Sequence, residues 1–340
     1  MTFQEEFRLY ARSKGRLLQA ILNFRSWLDQ RGRLDEEIAS YLDSLVESVT
    51  KDRLQLAFVA EFSRGKSELI NALFFAIKGL KMRLLPATPG RTTMCPTELF
   101  WDREAQKSYI RLLPVGTRLL DKTLEELRQD PSFWEEIVFD PSNAEEVSRA
   151  FSELKQTQTV TVEEAKKLGL YHEELVSKDE QGRPAVEIPK WRHALISFPH
   201  PLLKAGLVLL DTPGLNALGA EPELTLNLLP EVHAILFMLS VDTGVTRSDL
   251  EVWQNHVLRV GGQEGREIIV VLNKIDMLAE DLLDETEIDQ AIQKQVRETA
   301  RILKIEERKI FPVSAKQAFL GKIREDEKLV KKSRIAQLED

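Results

Sequence analysis

Cysteine is almost missing from this chain: Cys95 stands alone in 340 residues. That excludes an internal disulfide framework and fits a reducing compartment. Arg91 is the only basic neighbour of Cys95, so a buried packing role is expected for the thiol rather than reactivity. Histidine is sparse too, at five residues. His172 has no partner at metal-ligand spacing, His233 and His256 sit in apolar flanks that suit structural roles, and no Ser-His-Asp, Cys-His or zinc-type constellation is present. Long hydrophobic runs are also lacking. Stretches such as Ala234 to Val241 fall far short of the roughly 20 residues that a spanning helix needs. The opening MTFQEEFRLYARSKGR is charged throughout and has no apolar core of a signal peptide. Excess positive charge is absent as well. The net charge of −8 speaks against a nucleic-acid partner or an anionic membrane as the main target. These absences leave a soluble globular protein, cytoplasmic by default.

What is present starts with length, which suits two domains or one large domain with appendages. Residues 3–29 carry a helical stripe (Phe7, Tyr10, Leu17, Leu18, Ile21, Leu22, Leu28), broken at Arg31-Gly32-Arg33. A second stripe runs from Ile38 to Val49. Two helices are therefore predicted before a nucleotide domain that begins near Arg53. They either pack simply on the core or belong to a bundle completed elsewhere.

The chemistry centres on Leu54 to Ile77. An apolar strand leads into Glu61-Phe62-Ser63-Arg64-Gly65-Lys66-Ser67 and then an amphipathic helix, the order that a phosphate-binding P-loop requires. Backbone N–H groups of the loop and the helix N-terminus would face a phosphate chain. Lys66 would reach its β- and γ-phosphates, and the Ser67 hydroxyl would ligate Mg²⁺. Ala60 occupies the motif's first glycine position, which costs about 1–2 kcal/mol if φ is positive there. Either the turn stays in allowed space or the loop is strained. Glu68 stands where a second hydroxyl often follows. A carboxylate there would repel phosphate, so it is expected to turn outward and affinity to be modest.

Pro86, Pro89, Gly90 and Pro96 predict a loop over Leu85 to Pro96. The loop carries Thr92 and Thr93 into a predicted edge strand at 97–101, with 108–113 as its partner. An acidic, mostly helical insertion is expected over about 103–193, its WEE, AEE, VEE and HEE pairs on solvated helix faces, with Thr161 and Glu164 as a capping box. Short apolar strands resume at 206–210, 234–239, 267–272 and 309–313 with helical sequence between. This predicts an α/β fold with a mostly parallel sheet and helices on both faces, functional residues lying just beyond strand ends.

They do lie there. Asp211-Thr212-Pro213-Gly214 follows the first of these strands, with Asp211 placed to hold Mg²⁺ through water and Gly214 to turn its N–H toward a γ-phosphate. Asn273-Lys274-Ile275-Asp276 follows the third. The Asp276 carboxylate can accept from the N1–H and exocyclic amine of guanine, a pattern that adenine does not offer. The Lys274 stem can cover the purine face, and Asn273 would tie this loop to the P-loop. Ser314-Ala315-Lys316 after the last strand can approach the guanine carbonyl. Guanine is thus favoured over adenine.

RGKS, TTMCP, DTPG, NKID and SAK in this order resemble the dynamin superfamily of GTPases, particularly its bacterial dynamin-like branch, over about residues 50–320. AEFSRGKSELINAL and ALISFPHPLLKAGLVLLDTPGLN carry much of the likeness. The resemblance implies a P-loop GTPase fold that hydrolyses GTP to GDP with Mg²⁺ and dimerises across its nucleotide face. It also implies a power stroke passed to a helical stalk that acts on membrane lipid, and so a peripheral place at the inner membrane. Residues 1–52 would supply bundle-type helices, 53–320 the GTPase domain and 321–340 a charged C-terminal helix. No stalk or lipid-binding tip follows that helix, so a fragment or a reduced member is expected, with any lipid contact made outside this chain.

The family's TxxP pattern matches Thr93-Met94-Cys95-Pro96, which makes Thr93 the choice to complete the Mg²⁺ shell, with Thr92 as runner-up. Leu215 stands where Ras-like GTPases carry a water-orienting Gln, so water would be held by the Thr93 backbone and the P-loop. Dynamins hold water and a monovalent cation with a P-loop Gln-Ser pair; here these are Phe62 and Ser63. Lys66, Ser63 and Thr93 are the catalytic candidates. Guanylate-binding proteins place a catalytic arginine one residue before Arg64, so Arg64 is expected to point elsewhere. Two other readings stay open: a nucleotide-gated scaffold with little hydrolysis, suggested by Ala60, Phe62 and Leu215, and an RNA-associated GTPase of the Era type.

Overall fold

The computed structural model describes residues 3–51, 53–61, 63–76, 83, 85, 95–173, 176–179, 181–212, 232–261, 266–278 and 284–339. The two predicted leading helices are α1 (Phe3–Gln30) and α2 (Glu36–Lys51), joined at the predicted break. Gly32 turns there at φ 64, a conformation that glycine adopts without steric cost, and the Asp35 carboxylate caps the next helix by accepting from Ile38 N at 2.8 Å. Leu28 on α1 and Leu42 on α2 are buried, whereas Leu9, Tyr10, Leu17, Phe24 and Trp27 stay exposed on α1.

β1 (Leu54–Ala60) follows, then α3 (Lys66–Ile70), which widens into a π-turn over Asn71–Phe75. β2 (Thr97–Phe100), β3 (Tyr109–Pro114), α4 (Leu124–Gln129) and β4 (Glu135–Val138) come next. After them run α5 (Ala144–Ser152), β5 (Thr157–Thr161), α6 (Val162–Lys167), β6 (Val176–Lys178), β7 (Pro184–Pro189) and β8 (Trp191–Ser197). α7 (Pro201–Ala205), β9 (Leu207–Asp211), β10 (Ala234–Ser240), α8 (Arg247–Val252), α9 (Leu258–Gly261) and β11 (Glu267–Asn273) complete most of the sheet. α10 (Glu285–Leu303), β12 (Ile310–Pro312), α11 (Ala315–Arg324), α12 (Glu327–Ser333) and α13 (Ala336–Glu339) close the chain.

Among the described residues one sheet has the order β12-β11-β10-β1-β9-β2-β8-β3-β4, and β5-β7-β6 form a small second sheet. The run from β12 to β9 is parallel throughout. Alternation along β1 explains its two coats. Phe58 and Ala60 face a core with Leu69, Ile70 and Phe74 of the α3 segment and Phe319 of α11. Ala57 and Val59 face another with Trp253, Ile292 and Val296. Burial on both faces is what a parallel sheet demands, at about 1.5–3 kcal/mol for each large apolar side chain.

Four expectations change. The 321–340 stretch is not one helix: the chain turns left-handed at Glu325 and Arg334, splitting it among the end of α11, α12 and α13, and Ile335 is fully buried in the core. The 97–101 strand is not an edge: β2 lies between β9 and β8, with Leu99 fully buried. Its partner is not β3, which pairs with β8 and β4; β8 arrives from far along the chain and separates the two. The 103–193 stretch holds the expected helices, including the Thr161–Glu164 capping box, but it also donates β3, β4 and β8 to the main sheet. The Glu135–Glu136 pair accordingly lies on a strand rather than a helix, where Glu136 accepts from Lys107 at 2.6 Å and Arg111 at 2.7 Å.

His200 caps α7 by accepting from Leu202 N at 3.3 Å and packs edge-on against Phe74. Burial, and then the Lys322 charge, push its pKa down to about 4. An unfolded histidine protonates below about 6.5, so folding expels a proton between those values and stability falls as pH drops from about 6.5 to about 4. His200→Asn retains a capping acceptor and does not titrate. In urea unfolding measured across that range, it should flatten part of the acid limb, leaving the share of His193, which burial and the Arg128 and Arg192 charges also hold well below its ordinary value. An acid limb identical to wild type would reject the assignment.

Candidate functional site

Because β12, β11, β10, β1 and β9 are parallel, their C-terminal ends share one rim, and the chain crosses to either side of β1. That rim is where open α/β sheets bind ligands. Ala60 is simply the last residue of β1, extended and fully buried, so the first-glycine position needs no left-handed turn. Among the described residues of the loop, Ser63 at φ 65 and Gly65 at φ 85 are left-handed. Gly65 is the residue just before α3 and cannot be exchanged freely, since a Cβ there would sit 2.4 Å from the Asn273 Nδ2 atom.

Asn273 does what its position at the end of β11 suggests. Its Nδ2 donates to the Arg64 carbonyl at 2.9 Å, and its Oδ1 accepts from Ala315 N at 3.0 Å. The residue is 2% exposed, so both halves of the amide are satisfied away from water. Ser314 caps α11 by accepting from Gln317 N at 3.1 Å and donates its hydroxyl to Asp276 Oδ1 at 2.6 Å. Asp276 is therefore oriented by the segment that carries Ala315 and Lys316. Lys274 adopts φ 64, and its Nζ donates to Asp242 at 3.1 Å. Burial alone would push the Asp242 carboxyl up, but bonds from Ser240 and Lys274 outweigh it and hold it below the usual range.

On the other side of β1, Lys66 forms a buried ion pair with Asp211. Ser67 is also buried, and Thr212 donates to the Phe58 carbonyl at 2.8 Å, fixing the chain after β9. A hydroxyl and a carboxylate are oxygen donors of the kind Mg²⁺ prefers. Phe62, Thr92, Thr93, Pro213, Gly214 and Leu215 lie outside the described residues. Glu61 leads into the loop, half-buried.

Glu68 departs from expectation. Its side chain is only 13% exposed and accepts from Arg83 Nε at 2.7 Å and Nη2 at 2.8 Å. The Arg83 guanidinium in turn lies over the Phe319 ring at 5.0 Å. The countercharge comes from outside the P-loop motif, which is why the motif alone does not reveal it. Arg64 does point elsewhere, into the protein, where Asp249, Thr243 and Thr246 receive it. The signal that could have found that group is Thr246-x-x-Asp249, a capping box just after β10.

Residues 56–275 match the sequence model of the Dynamin family. The chain is 24% identical over 300 residues to an uncharacterized protein in the xynA 3' region of Caldicellulosiruptor sp. (strain Rt8B.4), covering 88% of this chain and 58% of that one. It is 25% identical over 286 residues to the bacterial dynamin-like protein of Nostoc punctiforme, covering 80% of this chain and 36% of that protein. In fold it is similar, at TM-score 0.55 and 18% identity, to a chain of an oligomerised bacterial dynamin pair, covering 96% of this chain and 42% of that one. The chain thus spans less than two thirds of each of these relatives.

The Gly65–Asn273 approach yields a non-additive prediction. Gly65→Ala combines a left-handed φ, about 1–2 kcal/mol, with a collision that breaks the Asn273 tie. Asn273→Ala removes the tie by itself, about 1–3 kcal/mol for the groups left unpaired. Denaturant unfolding of the double variant should show a loss at least about 0.5 kcal/mol smaller than the sum of the singles; strict additivity would mean that the two residues do not meet.

Proposed function

The chain belongs to the dynamin family, and from that premise we propose that it binds GTP and hydrolyses it to GDP and phosphate. The observation that carries this reading is the Asn273 amide, bonded at once to the Arg64 carbonyl and the Ala315 amide. One buried side chain joins a phosphate loop to the elements expected to read a base.

In this reading the backbone of Glu61, Phe62, Ser63, Arg64 and Gly65 wraps the β- and γ-phosphates. Lys66 leaves Asp211 for the phosphates, and Asp211 and Ser67, with Thr93 (or Thr92), hold Mg²⁺. The metal, when bound, neutralises charge on the phosphate oxygens. Gly214 contacts the γ-phosphate, Asp276 selects guanine, and Lys274 and the Ser314-Ala315-Lys316 backbone enclose the base. Ser63 and the Thr93 backbone orient water, and Ser63 retains one part of a monovalent-cation site. Arg83 neutralises Glu68, which removes the reason to expect weak phosphate binding. Residues 53–320 act as the GTPase domain, the 103–193 stretch being partly built into its sheet, and residues 1–52 and 321–340 flank it.

Self-association across the nucleotide face fits the oligomerised pair among the fold relatives. Coupling to membrane lipid would run through regions outside this chain, at the cytoplasmic face of a membrane. Among the described residues no helix is long and apolar enough to cross one. A nucleotide-gated scaffold is the second reading. It is favoured by the burial of Arg64, which takes that guanidinium out of reach of a developing phosphate charge, and by Phe62 and Leu215 in place of water-holding residues. Net charge of −8 argues against the RNA-associated alternative.

Phosphate release measured against protein concentration separates the first two readings. Turnover per molecule should rise with concentration, by about tenfold or more if assembly completes the site. Release no greater than that of Lys66→Ala would leave only the scaffold. For base choice, competition among GTP, XTP and ATP should shift from GTP toward XTP in Asp276→Asn, by a factor of about 100 or more for a buried polar site. Equal competition by ATP in the wild type would refute the guanine assignment.

A further inference from the structure

Arg64 is held at both ends. Its carbonyl accepts from Asn273 Nδ2 at 2.9 Å. Its guanidinium meets Asp249 through Nη2 at 2.8 Å and Nε at 3.3 Å, and Nη1 donates to Thr243 Oγ1 at 2.6 Å. Asp249 is fully buried and Arg64 is 8% exposed. The same Asp249 carboxylate accepts from Thr246 N at 2.9 Å and Thr246 Oγ1 at 2.7 Å, so the acceptor is itself fixed by the first turn of α8. A buried bidentate pair of this kind is directional, and lysine cannot reproduce it.

Both residues flanking Arg64, Ser63 and Gly65, are left-handed. Glycine takes that conformation freely, but Ser63 holds it only where its surroundings over-determine it, and its neighbour Arg64 is bonded at both its carbonyl and its guanidinium. The turn after β10 that receives Arg64 also carries Asp242, which accepts from Lys274 Nζ at 3.1 Å. One segment, 240–249, therefore braces the phosphate loop through Asp249 and Thr243 and the base loop through Asp242.

We propose that Arg64 and Asp249 are positioning residues that hold the P-loop backbone in its phosphate-binding shape, with the 240–249 turn as a strut between the phosphate and base halves of the site. This rests on the guanine-nucleotide reading above. The pair acts through the backbone rather than by contact with substrate, so its loss is felt in how long a nucleotide stays bound.

The test is the dissociation rate and affinity of a fluorescent GDP analogue, with nucleotide-free thermal melting alongside. Arg64→Met/Asp249→Asn removes both charges together, keeps an amide acceptor for the α8 cap, and leaves no charge buried alone. Thr243→Val removes the 2.6 Å bond to Arg64 and two long 3.4 Å contacts to the Ser240 and Gly244 carbonyls, all in an exposed turn. Arg64→Lys retains the charge without the fork. The double variant should release GDP about 10 to 100 times faster, Arg64→Lys should fall between it and wild type, and Thr243→Val should accelerate release about 2 to 5 times while melting as wild type does. A purely structural pair would move melting without moving release by Thr243→Val. If wild type binds GDP and both the double variant and Thr243→Val release it at the wild-type rate, the positioning role is overturned by itself. If wild type binds no guanine nucleotide, the functional reading falls and takes this inference with it.

Discussion

The site depends on a single carboxamide. Asn273 lies 209 residues from the carbonyl it donates to and 42 from the amide it accepts, so no local structure can substitute for it. An amide buried to this depth is costly if either half is unpaired and modestly stabilising when both are met. The bond therefore works less as a source of stability than as a rule about geometry: the loop after β1, the end of β11 and the start of α11 have to converge together. Everything else at the rim is arranged around that convergence. Gly65 lacks a Cβ because the amide occupies its space, and Ser314, one residue before the bonded amide, aims Asp276.

Around this point the charges are paired in a ring of close contacts. Lys66 meets Asp211, Arg64 meets Asp249, Glu68 meets Arg83 and Lys274 meets Asp242. They differ in exposure, and exposure decides what each can do. Arg64 and Asp249 are almost sealed, so either one left alone would be a buried charge without compensation, costing about 3–5 kcal/mol. Lys274 and Asp242 are each 27% exposed, where solvent screening reduces an ion pair to about 1 kcal/mol or less. The Arg64–Asp249 pair is thus the firmer of these contacts, and the half-open Lys274–Asp242 and Arg83–Glu68 pairs are the ones more readily rearranged.

Much of this was legible in the sequence because motif and strand fall in a fixed order. Leu54 to Ala60 followed by Gly65-Lys66-Ser67 could only be a strand, a loop and a helix, and Asn273 at the end of an apolar strand could be expected to reach the P-loop. Less legible were features that depend on partners remote in sequence. The alternation of Thr97-Glu98-Leu99-Phe100 reads as a half-exposed edge, yet β8 and β9 enclose it; Glu98 tolerates the position because Arg128 and His193 meet its carboxylate. Glu68 looked like a repulsive carboxylate until Arg83 supplied its countercharge. Arg64 could be turned away from the phosphates by comparison, but its destination needed the fold.

The central place of β1 also bears on how the protein is made. Leu54 pairs with Leu207 and Leu56 with Ala234, so neither flank of that strand has a partner until roughly 150 further residues have left the ribosome, about 8–30 s at ordinary synthesis rates. During that interval an apolar strand with both edges open is available to any other unpaired strand. The element that anchors the finished site is, in the nascent chain, the one most in need of shelter.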